Sequence, residues 1–233
     1  GEQISAQRVV SNADIWSTLA MLPDGAAEAW QRQRVETPRC NSFLHLHLGF
    51  DASGLAPLPI HTVWVDDWNR GIAAERNVVV LSVPSVLDAS MAPAGRHVLH
   101  GYTPASEPWS LWREHTRGTP AYDALKQERC EVFWRVLERT IPDIRDRCDL
   151  VMEGTPLTHS HFLNVSEGSY GPALSAAKGL FPGVTTPLEN LWLCGASTFP
   201  GIGIPPVAAS GAMAAHAILG GQAQTRLLKE LGI

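Results

Sequence analysis

The segment Gly195-Ala196-Ser197-Thr198-Phe199-Pro200-Gly201-Ile202-Gly203 has the residue types needed to hold a ligand through its backbone. Gly195, Gly201 and Gly203 have no Cβ, so main-chain N–H groups can come close to a bound group. An apolar run, Leu191-Trp192-Leu193-Cys194, precedes this turn, and a stretch rich in Ala, Gly and Ser, Val207 to Leu219, follows it. A strand, a glycine turn and a helix in that order present unsatisfied amides and a partial positive charge to an anion or an electron-rich oxygen. The candidate cofactor contacts are Gly195, Ala196, Ser197, Thr198, Gly201, Gly203, Ile204, Pro205, Val207 and Ala208. On spacing alone, a tight strand-to-helix turn with no ligand is the competing reading. Ser197 lacks the GxSxG order of a nucleophile elbow, because Thr198 and Phe199 follow it, so hydrolase chemistry is a weak alternative.

Histidines are the other residues that invite a chemical reading. His45 and His47 share one face of a strand candidate, and His97 and His100 fall on another. No Cys or carboxylate completes either pair at metal-ligand spacing, so they read as satisfied sheet histidines, and no metal is expected. Asp66 and Asp67, beside Trp68 and Arg70, read as a charged turn.

The elements that must position these residues follow from periodicity. Residues 7–12 read as a strand, and a short helix begins at Asp14, with Ile15, Leu19 and Leu22 on one side, until Pro23-Asp24-Gly25 stops it. Residues 42–50 alternate, with Phe43, His45, His47 and Gly49 facing one way and Leu44, Leu46, Leu48 and Phe50 the other. Further strands are expected at 61–65, 77–83, 97–103 and 148–153, and their spacing suggests an antiparallel sheet. Thr119 caps a helix that opens on Pro120 and carries Leu125, Val132, Phe133, Val136 and Leu137. Residues 154–190 read as a long irregular stretch, and a helix at 207–219 ends at Gly220-Gly221.

A chain of 233 residues, 45% hydrophobic, can bury one large core or two lobes. With 18 Lys+Arg against 23 Asp+Glu and a net charge of −5, no basic face for nucleic acid is expected. Cys40, Cys130, Cys148 and Cys194 form no CxxC pair, which argues against zinc and against a disulfide framework. The eight tryptophans read mainly as packing residues. No charged-then-apolar leader precedes the first strand, so no signal or transit peptide is expected within this chain. The uncharged stretch 199–219 is broken early by Pro and Gly. Its helical part would rise only about 20 Å, short of a hydrocarbon core of about 30 Å, so a buried helix is expected there.

The run from Asn190 to Pro205 resembles the C-terminal FAD-binding segment of phytoene desaturases and prolycopene isomerases. Residues 42–50, 97–104, 154–159 (GTPLTH) and 168–172 are similar to the substrate domain and flanking segments of the carotenoid isomerase group. Residues 9–14 resemble the point where that family leaves its FAD domain. The resemblance covers nearly the whole chain and implies the C-terminal half of such a protein, because no GxGxxG fingerprint occurs early in these residues. Many isomerase-type members carry Asp where this chain has Ala196; bacterial phytoene desaturases carry a Gly-Ala pair there.

The implied architecture is mixed α/β. An incomplete Rossmann-like FAD lobe would be formed from 1–22 and 154–233, with an antiparallel-sheet substrate domain between them at 23–153. The implied activity is FAD-dependent cis–trans isomerisation of a long polyene in carotenoid biosynthesis, with peripheral membrane contact. A plastid location is implied in a photosynthetic eukaryote, and the cytoplasmic side of a membrane otherwise. His159 and His161 would lie near the flavin, as a polar pair or as simple loop hydrogen-bonders. Phe43, Trp64 and Phe133 would either line an apolar channel or be plain core. A carotenoid desaturase, a retinol saturase, an amine oxidase and an inactive remnant or scaffold without bound flavin remain open alternatives.

Overall fold

The computed structural model describes residues 2–175, 177 and 181–232. In chain order the elements are β1 (Val9–Ser11), α1 (Ile15–Ala20), α2 (Glu28–Val35), β2 (His45–Asp51), β3 (His61–Val65), β4 (Val78–Ser82) and β5 (Arg96–Tyr102). There follow α3 (Pro120–Leu137), α4 (Ile144–Arg147), β6 (Cys148–Gly154), α5 (Pro156–Leu163), β7 (Leu191–Leu193), α6 (Ile204–Leu219) and α7 (Gly221–Glu230). The mixed α/β class read from the sequence is what forms. The chain divides into two compact units: Gly1–Cys40 with Tyr170–Ile233, and Asn41–Ser169.

The second unit is a five-stranded antiparallel sheet in the order β3-β4-β5-β2-β6. Its core follows from the alternation in β2. Leu44, Leu46, Leu48 and Phe50 are all at most 2% exposed, and they join Val79, Leu81, Leu99 and the apolar side of α3, with Cys130, Phe133 and Leu137. Each such side chain contributes about 1.5–3 kcal/mol of burial. Helix α3 starts where capping chemistry puts it: the Tyr122 amide donates to Thr119 Oγ1 at 3.4 Å, with Pro120 in the first turn.

A buried ion pair pins α3 to the loop after β5. Arg129 Nε and Nη2 donate to the two carboxylate oxygens of Glu107 at 2.9 and 2.8 Å, and Trp112 Nε1 donates to Oε1 at 2.8 Å. Asp66 and Asp67 are the charged turn expected: Asp67 Oδ1 accepts from the Asn69 amide at 2.8 Å, and Asp66 pairs with Arg70 at 3.6 Å.

Four helices escaped the sequence reading, the four-residue α4 among them. The stretch read as irregular holds α5, whose Thr155 accepts from the Thr158 amide while Thr158 Oγ1 accepts from the Thr155 amide. Here Thr occupies the third helical position where a capping box usually has Glu or Gln. Residues 176 and 178–180 of that stretch lie outside the described residues. Helix α2 buries none of its residues, so it has no apolar stripe to read. Helix α7 opens on Gly221, the residue read as a terminator.

In the first unit, β1 and β7 pair in parallel, Val9 with Leu191 through Ser11 with Leu193. Helix α1 packs Ile15, Trp16 and Leu19 against Leu193, and its Asp14 cap accepts from the Ser17 amide at 2.7 Å. Helix α6 starts three residues before the sequence expectation, because Pro205 and Pro206 suit a first turn rather than blocking it. No helix among the described residues is long and apolar enough to cross a membrane.

Candidate functional site

The glycine turn is built by cross-links within the first unit. The strand end is fixed by the Cys194 amide donating to the Ser11 carbonyl at 2.9 Å. The Gly195 amide then donates to Ser210 Oγ of α6 at 2.8 Å, and that hydroxyl donates to the Val207 carbonyl at 2.6 Å. The Ser197 hydroxyl is engaged too, accepting from the Ile15 amide at 3.1 Å. Gly195, Gly201 and Gly203 have φ of +99°, +119° and +110°, a region that L side chains rarely adopt. At Gly195 a Cβ would also come within 2.6 Å of Asn12 Oδ1.

What remains unsatisfied gives the turn its chemistry. Thr198 is 1% exposed, yet its Oγ1 has no hydrogen-bond partner among the described residues. The amides of Ala196 and Ile204 donate to no described residue. Pro205 and Pro206 have no N–H, so the first turn of α6 offers fewer donors than an ordinary helix start. Ile204, Pro205 and Ala208 are exposed, and Val207 is half-buried. Of the sixteen residues of α6, only Ser210 and Ala214 are buried. The structure thus gathers all ten sequence-derived positions into one turn and the first turn or so of one helix. A buried hydroxyl, several spare amides and a small-residue face fit a flat ligand with polar edges.

In the second unit, the face of the sheet opposite the leucines carries the histidines. Strand pairing sets His47 directly opposite His100, and His45 opposite Tyr102. His45 Nδ1 lies 2.7 Å from His100 Nε2, and the two rings stack at 5.0 Å and 5°. His47 and His100 stack at 4.6 Å and 11°. His159, on α5, brings its ring to 4.8 Å from that of His45. The nitrogens of His45, His47 and His100 lie within 4.8 Å of one another.

Burial comes first among the causes that hold these imidazoles neutral. His45 is pushed down to about 3 by burial and then by His159, His100 and His47. His100 is pushed down to about 4 by burial and His47, and burial also lowers His47 and His159. A cavity of about 780 Å³ opens beside the cluster, bordered also by Met152, Phe162 and Leu163.

The sequence had set His97 beside His100, but three residues apart on a strand means opposite faces. His97 turns instead to Ser85 Oγ, at 2.9 Å from Nδ1. The cluster was missed because its third member comes from strand register and not from local spacing. The signal available was the HxH pattern on one strand and a single His on a second. Of the residues weighed as channel lining, Phe133 is fully buried core, and Trp64 packs against that core under the Arg139 guanidinium at 4.3 Å. Phe43 lies on the histidine side, 5.5 Å from the His45 ring.

Comparison with known proteins bears on the whole chain. It is 35% identical over 232 residues to the chloroplastic prolycopene isomerase of Arabidopsis thaliana, covering 94% of this chain and 37% of that protein. It is 34% identical over 232 residues to that of Daucus carota, covering 94% and 36%. The chain is carotenoid isomerase/desaturase-like. A 4,4'-diapophytoene desaturase (4,4'-diaponeurosporene-forming) of Staphylococcus aureus is 27% identical over 197 residues, covering 73% of this isomerase/desaturase-like chain and 36% of its own. The chain therefore spans little more than a third of the length of these relatives. No protein-family model matches it. A crystal structure of a protein from Pyrococcus furiosus, 14% identical, aligns with a TM-score of 0.51 over 91% of this chain and 41% of its own, so the isomerase/desaturase-like chain shares that fold.

Proposed function

We propose that this chain is the C-terminal part of an FAD-dependent, carotenoid cis–trans isomerase-like oxidoreductase acting on a long polyene. The observation that carries this reading is 34–35% identity to prolycopene isomerases across 94% of the chain. The turn supports it independently, because a buried, unpartnered Thr198 hydroxyl needs an acceptor or donor that the described residues do not supply. Gly195, Ala196, Ser197, Thr198, Gly201, Gly203, Ile204, Pro205, Val207 and Ala208 would hold the flavin. The flavin, when bound, supplies the electron-transfer chemistry. The chain's own residues orient it by amides and hydroxyl, with the small side chains of α6 allowing close approach. Ala196 offers no carboxylate to it.

The polyene would rest on the apolar and imidazole surfaces of the second unit. Leu150 and Met152, each half-exposed, border Gly49 and His47 across the β2–β6 pairing. Neutral imidazoles and apolar side chains suit a long hydrocarbon better than charged ones do. Such a substrate resides in membranes, so we also infer peripheral membrane contact, and a plastid site by analogy with the plant relatives.

A two-stranded parallel sheet with Val9 and Val10 half-exposed is unusual, since parallel strands are ordinarily covered on both faces. We infer that further chain of the same protein, supplying the dinucleotide fingerprint, covers it. A desaturase reading is favoured by the Staphylococcus aureus relative, at lower identity.

The test is to produce the chain alone and together with a complementing N-terminal half from a prolycopene isomerase. The visible spectrum is then recorded and prolycopene conversion assayed under reducing conditions. A yellow protein that isomerises only in the combined sample is expected. A colourless combined sample refutes the flavin reading. Flavin with net loss of hydrogen from the polyene turns the reading to a desaturase.

A further inference from the structure

We propose that His45, His47 and His100 form a three-imidazole site for a first-row divalent transition metal, with its fourth coordination position open to the neighbouring cavity. The proposal goes beyond the flavin reading and uses none of the residues of the glycine turn.

The backbone makes the site. Residues two apart on a strand face the same way, so His45 and His47 project together from β2. His100 on β5 sits directly opposite His47, a position where side chains of neighbouring strands stand about 4.5–5.5 Å apart at Cβ. Three ligand nitrogens are thereby brought within 4.8 Å of one another. Metal–imidazole bonds of about 2.0–2.1 Å in a tetrahedral site put ligand nitrogens about 3.3 Å apart. The His45–His100 contact, at 2.7 Å, must therefore open by roughly half an ångström, and the widest separation must close by roughly one and a half. Both are within reach of side-chain torsions on a fixed sheet.

The protons balance without an acceptor from outside. In a neutral pair, one of His45 Nδ1 and His100 Nε2 carries the hydrogen of their mutual bond. Metal binding needs both lone pairs, so that hydrogen moves to the other nitrogen of the same ring, and no net proton is released. Three imidazoles with one open position match catalytic zinc sites, and imidazole sets also accept copper, iron and nickel. The cavity wall mixes apolar Met152, Phe162 and Leu163 with His159, Asp123 and Glu153, so the fourth position is open to water, to an oxygen of a bound molecule or to one of these side chains.

The site is tested on the full chain, flavin-free and tag-free, stripped with a chelator and titrated with Co²⁺ and then Zn²⁺. One equivalent of Co²⁺ is expected to bind with the visible bands of a tetrahedral nitrogen–oxygen set and without the intense near-ultraviolet band of a thiolate; Zn²⁺ is expected to displace it. His47→Gln and His100→Gln should each weaken binding by more than about 100-fold, beyond the 10–100-fold that loss of an outer hydrogen-bond partner costs. His161→Gln and His216→Gln should leave it unchanged.

His47 is exposed, so His47→Gln is expected to keep the circular dichroism of the parent and to report on binding alone. Binding that survives both cluster variants, a thiolate band, or no stoichiometric uptake overturns the proposal. Since no flavin is present, such a failure leaves the flavin reading untouched.

Discussion

Thr198→Val replaces a hydroxyl by a methyl in a side chain of the same shape. In the flavin-free chain the Thr198 hydroxyl is buried at 1% exposure with no partner among the described residues. A buried, unsatisfied polar group costs about 1–3 kcal/mol. Valine removes that cost and keeps the β-branched packing, so the first unit should gain about 1–2 kcal/mol. In a unit of roughly a hundred residues each kcal/mol moves the melting point by about 4–8 °C. Slower amide exchange in peptides covering residues 191–199, with a higher first melting transition, is the expected readout. In the flavin-loaded whole protein the same change should act the other way. Loss of one hydrogen bond of about 0.5–1.5 kcal/mol weakens flavin retention by about 2- to 13-fold. Thr198→Ser, which keeps the hydroxyl, should retain the flavin. A flavin-free Thr198→Val chain less stable than its parent would show that the hydroxyl is already satisfied, and the reasoning would fail.

Other expectations concern the second unit. Glu107→Gln leaves the buried Arg129 guanidinium with only the half-exposed Glu75 for charge compensation, and urea unfolding should show a loss of about 3–5 kcal/mol. Leu46→Ala, at a fully buried position between the sheet and α3, should cost about 2–5 kcal/mol in the same assay. Burial raises the Glu153 carboxyl above its ordinary value of 4.5. A raised folded value means that ionisation costs stability as pH climbs through it, and that nothing is lost below the unfolded value. Glu153→Gln should therefore melt higher than the parent at pH 8, and the gain should vanish below pH 4.5; an equal gain at pH 4 would rule out titration as its source.

What the sequence made legible was what local chemistry determines. The strict alternation from Phe43 to Phe50 marked β2 and its buried face. Thr119-Pro120 marked the start of α3, and the glycines after Cys194 marked the turn. The alternation also carried the sheet face on which the histidines stand. Their meeting was not legible, because it depends on β5 pairing with β2 in the register that opposes His100 to His47. Helix α5 was hidden because its capping box uses Thr158 in place of an acid or amide. Helix α2 was hidden because a helix with no fully buried residue, and only Trp30 packed against the core, has no periodic apolar signal. The orphaned Thr198 hydroxyl could not be foreseen either, since it depends on which of its neighbours already have partners.

The Ser210 hydroxyl takes the Gly195 amide with one lone pair and gives its hydrogen to Val207. The end of β7 and the opening of α6 are thus riveted through a single oxygen, so displacement of one drags the other. Whatever settles on the turn is thereby transmitted along a sixteen-residue rod whose exposed far end, Leu219, can carry a reporter dye away from the ligand itself. Occupancy of the turn can then be followed by the motion of that rod, with no need for the ligand to be coloured.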